Sequence, residues 1–194
     1  GRLDIISGNW EGLHRIFILK KNRFYDLVDF DFNRPSKVRT IISADFDNDG
    51  FDEILINNIG QSNKMFKLKE NGILEKIELK NVKLADGFGT GAAVADVDGD
   101  GILELLISNG EKGKQKLKLF KANTKKNSEF LRIRPLNTFN APARGATVIL
   151  KSNLRMHAKT IDAGSGYLCQ MEPVAHYGIR KEEKNFKITV KWTD

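Results

Sequence analysis

Apolar positions fall in short runs that alternate with polar ones, as in "RIFILK", "VRTIISA" and "NKMFKLKEN", and no stretch keeps the 3.6-residue period of an amphipathic helix. Asn, Gly and Asp clusters separate the runs, which predicts strands joined by turns. The runs also repeat. "DIISGN" (4–9), "EILINN" (53–58) and "ELLISN" (104–109) are three versions of one strand, at offsets of 49 and 51 residues. Each is followed by a second alternating segment: "RIFILKKN", "NKMFKLKEN" and "GKQKLKLFKAN". An apolar strand precedes the second and third copies ("VRTIISA", "GAAVA"), and "ILEKIELKN" supplies a fourth strand to the second. Four short strands per repeat of about 50 residues match the blades of a β-propeller. A parallel β-helix, with its shorter rungs, is the lesser alternative.

The expected class is therefore all-β: a partial β-propeller over residues 1–128, about two and a half blades, followed by a small β-sandwich-like domain over residues 129–194. Asp4 holds the register position of Glu53 and Glu104, so the first unit is expected to lack its opening strand and most of its loop. On this reading further blades lie in a longer chain, or another chain covers the open edges. Beyond residue 128 the strands "EFLRIRPL", "GATVILKS", "MHAKTID" and "FKITVKW" follow a different spacing. So small a domain has a small core, and it is expected to pack on the blades.

Two loops carry the candidate chemistry. "ADFDNDGFDE" (44–53) and "ADVDGDGILE" (95–104) place acids at positions 1, 3, 5 and 9, counted from Asp45 and Asp96. The predicted ligands are Asp45, Asp47, Asp49 and Glu53 in the first loop, and Asp96, Asp98, Asp100 and Glu104 in the second. The backbone carbonyls of Phe51 and Ile102, at position 7, add one oxygen each. Gly50 and Gly101, at position 6, supply the bend. Carboxylates this close repel without a cation. Oxygen donors without His or Cys select a hard ion, and ligand number and loop flexibility favour Ca²⁺ over Mg²⁺. Two calcium sites are expected, with a third truncated at Asp4. An EF-hand is excluded, because position 12 is Ile56 or Ile107 and the flanks are β-rich. Asp52, at position 8, is expected to face away from the ion as a solvated or turn-stabilising acid.

These loops resemble the calcium loops of FG-GAP repeats, as in integrin α-chain propellers. "FGTGAAVADVDGDGILELLISNG" (88–110) is the nearest stretch, with Phe88 and Gly89 at the name-giving positions. The C-terminal stretch looks like an ASPIC/UnbV domain: Gly145-Ala146-x-Val148, Gly164-Ser165-Gly166-Tyr167, Gln170, His176-Tyr177-Gly178 and Val190-x-Trp192. That order of parts is the pattern of the cartilage acidic protein family. Cys169 stands where that family usually has serine, and the chain ends at Asp194, before the strand that usually closes the domain. The resemblance implies a secreted or extracellular protein that binds a protein or matrix ligand at the cell surface.

Composition adds little to this picture. The net charge of +7 comes from lysines spread along the chain, which favours a solvated surface over a nucleic-acid site. No run of about 18 apolar residues suggests a membrane span. Lys112, Lys114, Lys116 and Lys118 alternate and would line one face of a strand, as a solvated face or as a stripe for acidic glycans. His176, Ser165 and Asp162 do not form a hydrolase triad by spacing, since "AGSGY" is not a G-x-S-x-G elbow; His176 reads as a structural residue of a turn. His14 and His157 have no metal partners in sequence. Cys169 reads as a small buried residue of a strand. The expectation is a non-enzymatic calcium-binding interaction module. A purely structural scaffold and a Ca²⁺-dependent module that binds or processes glycans are the alternatives.

Overall fold

The computed structural model describes residues 4–69, 73–123, 129–162 and 164–193. Apart from one helix and one 3₁₀ turn, its regular elements are strands. β1 (Ile5–Ser7), β2 (Arg15–Lys20) and β3 (Arg23–Leu27) form a first antiparallel sheet. The second contains β4 (Val38–Ala44), β5 (Glu53–Asn58), β6 (Lys64–Leu68) and β7 (Leu74–Ile77), in that order. The third contains β8 (Gly89–Ala95), β9 (Glu104–Asn109) and β10 (Lys118–Lys121). These are propeller-like blades, and the four-strand unit is the second, as the repeat predicts. The expected boundary near residue 128 borders residues 124–128, which lie outside the described residues.

The repeat is exact in pairing. Ala44 faces Glu53 and Ala95 faces Glu104 across each acidic loop. Both inner strands break register near their starts, between Val38 and Thr40 and between Gly89 and Ala92. A bulge at the same place in two copies tightens the local twist. Phe88 forms a bridge with Ile59, so the third blade begins against the end of β5.

Burial explains the apolar centre of β5, Ile54-Leu55-Ile56. All six of its residues are buried. Ile54 and Ile56 face Ile16, Ile18 and Phe32 on the first-blade side, whereas Leu55 packs with Ile42, Val94, Leu105 and Ile107 toward the third. Period-2 alternation thus feeds two cores from one strand. The sequence gives no helical period, yet one short helix, α1 (Phe30–Asn33), links the first two blades. It forms because Asp29 caps it, its Oδ1 accepting from Phe32 N at 2.8 Å, and because Phe32 is driven against Phe66, with ring centroids 5.2 Å apart.

The C-terminal part has two sheets. β11 (Glu129–Ile133) pairs with β14 (Ala175–Ile179), while β12 (Thr147–Lys151) lies between β13 (Met156–Thr160) and β15 (Lys187–Lys191). Val148, Leu150 and Ile161 pack against Ala175, Tyr177 and Ile179 between them. The buried Tyr177 hydroxyl donates to Val148 O at 2.8 Å and ties one sheet to the other.

Leu55 has no exposed surface. Leu55→Ala is expected to destabilise the chain by about 2–5 kcal/mol, read as a lower urea midpoint at constant Ca²⁺ concentration.

Candidate metal centres

Each acidic loop is wound around its own carboxylates, and the two copies use the same bonds. At the first residue, Asp45 Oδ2 accepts from Gly50 N at 2.9 Å and Asp96 Oδ2 from Gly101 N at 3.1 Å. At the last, Glu53 Oε2 accepts from Phe46 N at 2.9 Å and Glu104 Oε2 from Val97 N at 2.7 Å. In between, Asp47 and Asp98 accept from the N–H groups of Asp49 and Asp100. Asp49 and Asp100 in turn accept from those of Phe51 and Ile102. Gly50 and Gly101 adopt φ of +89° and +81°, a region that L side chains avoid, which is what lets the chain fold back.

With one oxygen of each end carboxylate committed to the loop, the other points inward. Asp45 Oδ1, Glu53 Oε1, Asp96 Oδ1 and Glu104 Oε1 are buried and make no hydrogen bond. Oxygens of Asp45, Asp47 and Glu53 lie within 4.8 Å of one another, as do those of Asp96, Asp98 and Glu104. Asp49 and Asp100, also predicted, stand just outside these triplets. Burial first, then the charge of Asp52, pushes Asp45 up to about 7. Burial also pushes Glu53 up to about 7, against the opposing pull of Lys67. Such oxygens, with no nitrogen or sulfur ligand among them, suit a hard divalent cation.

Sequence reasoning missed two lysines that reach into these loops, each against three of its carboxylates. Lys67 Nζ lies 2.9 Å from Asp47 Oδ2, 2.7 Å from Asp49 Oδ2 and 2.6 Å from Glu53 Oε1. Lys121 Nζ lies 2.7 Å from Asp98 Oδ2, 2.8 Å from Asp100 Oδ2 and 2.7 Å from Glu104 Oε1. The two glutamate oxygens in these ion pairs have no backbone partner. Burial pulls Lys67 down, but Asp49, Glu53 and Asp47 outweigh it and hold the ammonium above its ordinary range. The sequence signal for them is the Lys-x-Phe-Lys repeated at 64–67 and 118–121, and the strand pairing sets Lys67 opposite Glu53 and Lys121 opposite Glu104.

The sheet of β11 and β14 lies across both loops. Gly178 N donates to Asp45 Oδ2 at 2.9 Å, and Arg132 Nη1 donates to Asp96 Oδ2 at 2.7 Å. Arg132 is also paired with Glu172. His176, which faces Arg132 across the two strands, meets Asn48 Oδ1 at 2.7 Å. Asn48 Nδ2 donates to Gly101 O at 2.7 Å, joining the two loops. That bond fixes the Asn48 oxygen as an acceptor, so His176 carries its proton on Nε2. Arg155 donates to Gly50 O and Gly178 O, and its Nε donates to Glu183 at 2.8 Å.

Several expectations need correction. Asp52, expected as a solvated or turn-stabilising acid, is partly buried: Lys159 donates to it at 2.8 Å and Ser43 Oγ at 3.1 Å. His176 is structural as expected, but it sits in β14 rather than in a turn. Cys169 is half-buried in a loop after the turn at Leu168, not in a strand. Lys112, Lys114 and Lys116 lie in turn and coil, so only Lys118 is on a strand and no strand face carries the stripe. Ser165 donates to Asp162. Asp4 stands just before β1 and accepts from Leu19 N at 2.9 Å.

Comparison with known proteins places these loops in context. The FG-GAP-like repeat family matches residues 1–56 and 45–107, and the ASPIC and UnbV family matches residues 137–194. Human cartilage acidic protein 1 is 42% identical over 100% of this chain, and the mouse protein of that name is 41% identical over the same span. The chain spans about a third of their length, 31% and 32% respectively.

Two outcomes test the docking of β14 on the first loop. A methyl group at Gly178 would stand 2.4 Å from Asn48 Cα, so Gly178→Ala is expected to cost about 1–3 kcal/mol in chemical denaturation. Burial first, then the charges of Lys159 and Arg132, lowers His176 from 6.5 to about 4. Its contribution to stability is therefore complete above pH ~6.5 and is lost as pH falls toward ~4, by up to about 3 kcal/mol. His176→Gln keeps an N–H donor and should flatten that stretch of the stability–pH curve relative to wild type.

Proposed function

Since the chain belongs to the FG-GAP-like repeat family, we propose that it is a calcium-binding, non-enzymatic module of an extracellular protein, built to present a surface to a protein or matrix ligand. The division into blades (1–128) and a C-terminal domain (129–194) is part of the same proposal. The observation that carries it is the set of four buried carboxylate oxygens, two per loop: Asp45 Oδ1 and Asp96 Oδ1 have no hydrogen bond, and Glu53 Oε1 and Glu104 Oε1 meet only a lysine ammonium. Asp45, Asp47, Asp49 and Glu53 would hold one ion, and Asp96, Asp98, Asp100 and Glu104 the other, with the Phe51 and Ile102 carbonyls as further donors. Bound there, Ca²⁺ supplies positive charge and a rigid oxygen shell. The chain's own groups do the rest: backbone N–H groups orient the outer oxygens, and the C-terminal sheet holds the first carboxylate of each loop through Gly178 N and Arg132.

The extracellular setting rests on the likeness to cartilage acidic protein 1, and extracellular calcium is plentiful enough to fill weak sites. No helix among the described residues is long and apolar enough to cross a membrane.

Ion binding to the folded state alone stabilises it, by about 2.7 kcal/mol at a hundredfold excess over Kd. Calcium is expected to raise the melting temperature and a chelator to lower it. Asp96→Ala should remove part of that calcium-dependent shift and leave the part due to the first loop. A melting temperature indifferent to both calcium and chelator would sink the reading.

A further inference from the structure

We propose that Lys67 and Lys121 are resident counter-cations of the two loops, and that an incoming calcium ion must displace their ammonium groups, so that these lysines set how tightly each loop binds the ion. The inference rests on the calcium reading above and deepens it.

Three observations converge on it. First, each ammonium contacts three of its loop's four predicted ligands at 2.6–2.9 Å. One ammonium shared by three carboxylates is the arrangement of a counter-cation, not of a single ion pair. Second, the placement repeats. Each lysine stands on the strand beside the closing glutamate, directly opposite it in register, and ends the same Lys-x-Phe-Lys pattern in both blades (64–67 and 118–121). Third, the Lys67 side chain is only 11% exposed. An alkyl stem held down to that degree is not a solvated surface lysine that happens to reach over.

The chemistry favours exchange over co-occupancy. Asp47, Asp49 and Glu53 each turn an oxygen to the ammonium, and the same oxygens are needed for a shell of six or more around calcium. An ammonium offers one charge and three donors, whereas a divalent ion offers two charges and takes more oxygens. The ion should therefore win at high concentration and the lysine at low. A loop filled by lysine in about nine of ten metal-free molecules binds its ion about tenfold more weakly than an open one.

The test has two readouts on the full chain. Calcium titration calorimetry of Lys67→Met and Lys121→Met is expected to show one site tightened about tenfold in each variant. Lys69→Met removes the same charge from an exposed lysine paired with Glu75 and should change affinity far less. The second readout uses wild-type protein and so does not depend on how a variant folds. Amine-reactive labelling, mapped by mass spectrometry, should rise several-fold at Lys67 and Lys121 when calcium is added, and stay level at Lys69. Labelling that is unchanged or suppressed by calcium, or variants that bind calcium no more tightly than Lys69→Met does, would overturn the inference while leaving calcium binding intact. Wild-type protein that binds no calcium would remove both.

Discussion

Carboxylates gathered within 4.8 Å of one another and half cut off from water need a positive charge among them. At that spacing two charges repel by about 3 kcal/mol at an effective dielectric of ~20, and each loop brings three such carboxylates with a fourth beside them. Everything distinctive about the chain answers that demand. Backbone N–H groups take the outer oxygens, lysines reach into the inner ones, and Arg132 lies against the second loop. An acidic loop in a basic chain is thus no contradiction, because part of the basic excess is built into the blades as the partner of the acids.

The blades are the frame that makes such loops affordable. β5 gives its two faces to two cores, so the strand that starts at Glu53 is anchored on both sides. β9, which starts at Glu104, contributes Leu105 and Ile107 to the same core. The loop ends are therefore held apart at a fixed distance by packing, and only the loop interior has to answer to charge.

Much of this was legible beforehand, for physical reasons. The repeat, the strand character and the acid spacing are local patterns, and a loop closed by its own carboxylates depends on nothing far away. What escaped depends on pairing. Lys67 could be assigned to Glu53 only once β5 and β6 were in register, since a run of alternating lysines looks the same whichever one faces the glutamate. Lys112 to Lys116 misled for the converse reason: they alternate as in a strand but lie in turn and coil. The roof over the loops was invisible because its contacts span far more sequence than a repeat does, Asp45 and Gly178 being 133 positions apart. Asp52 was misjudged for the same cause, its partner Lys159 being 107 residues away.

Asp45 belongs to two structures at once. One oxygen accepts from Gly178 in the C-terminal sheet as well as from its own loop, and the other points to the centre of the cluster. Thermodynamic linkage gives this arrangement a direction-free consequence. If closing the C-terminal sheet onto the loop changes the affinity for a cation by some factor, the cation changes the closing equilibrium by that same factor. A ligand that recognises only the closed form would then read the local ion concentration without touching an ion, and its own presence would alter how much of the cation the chain retains.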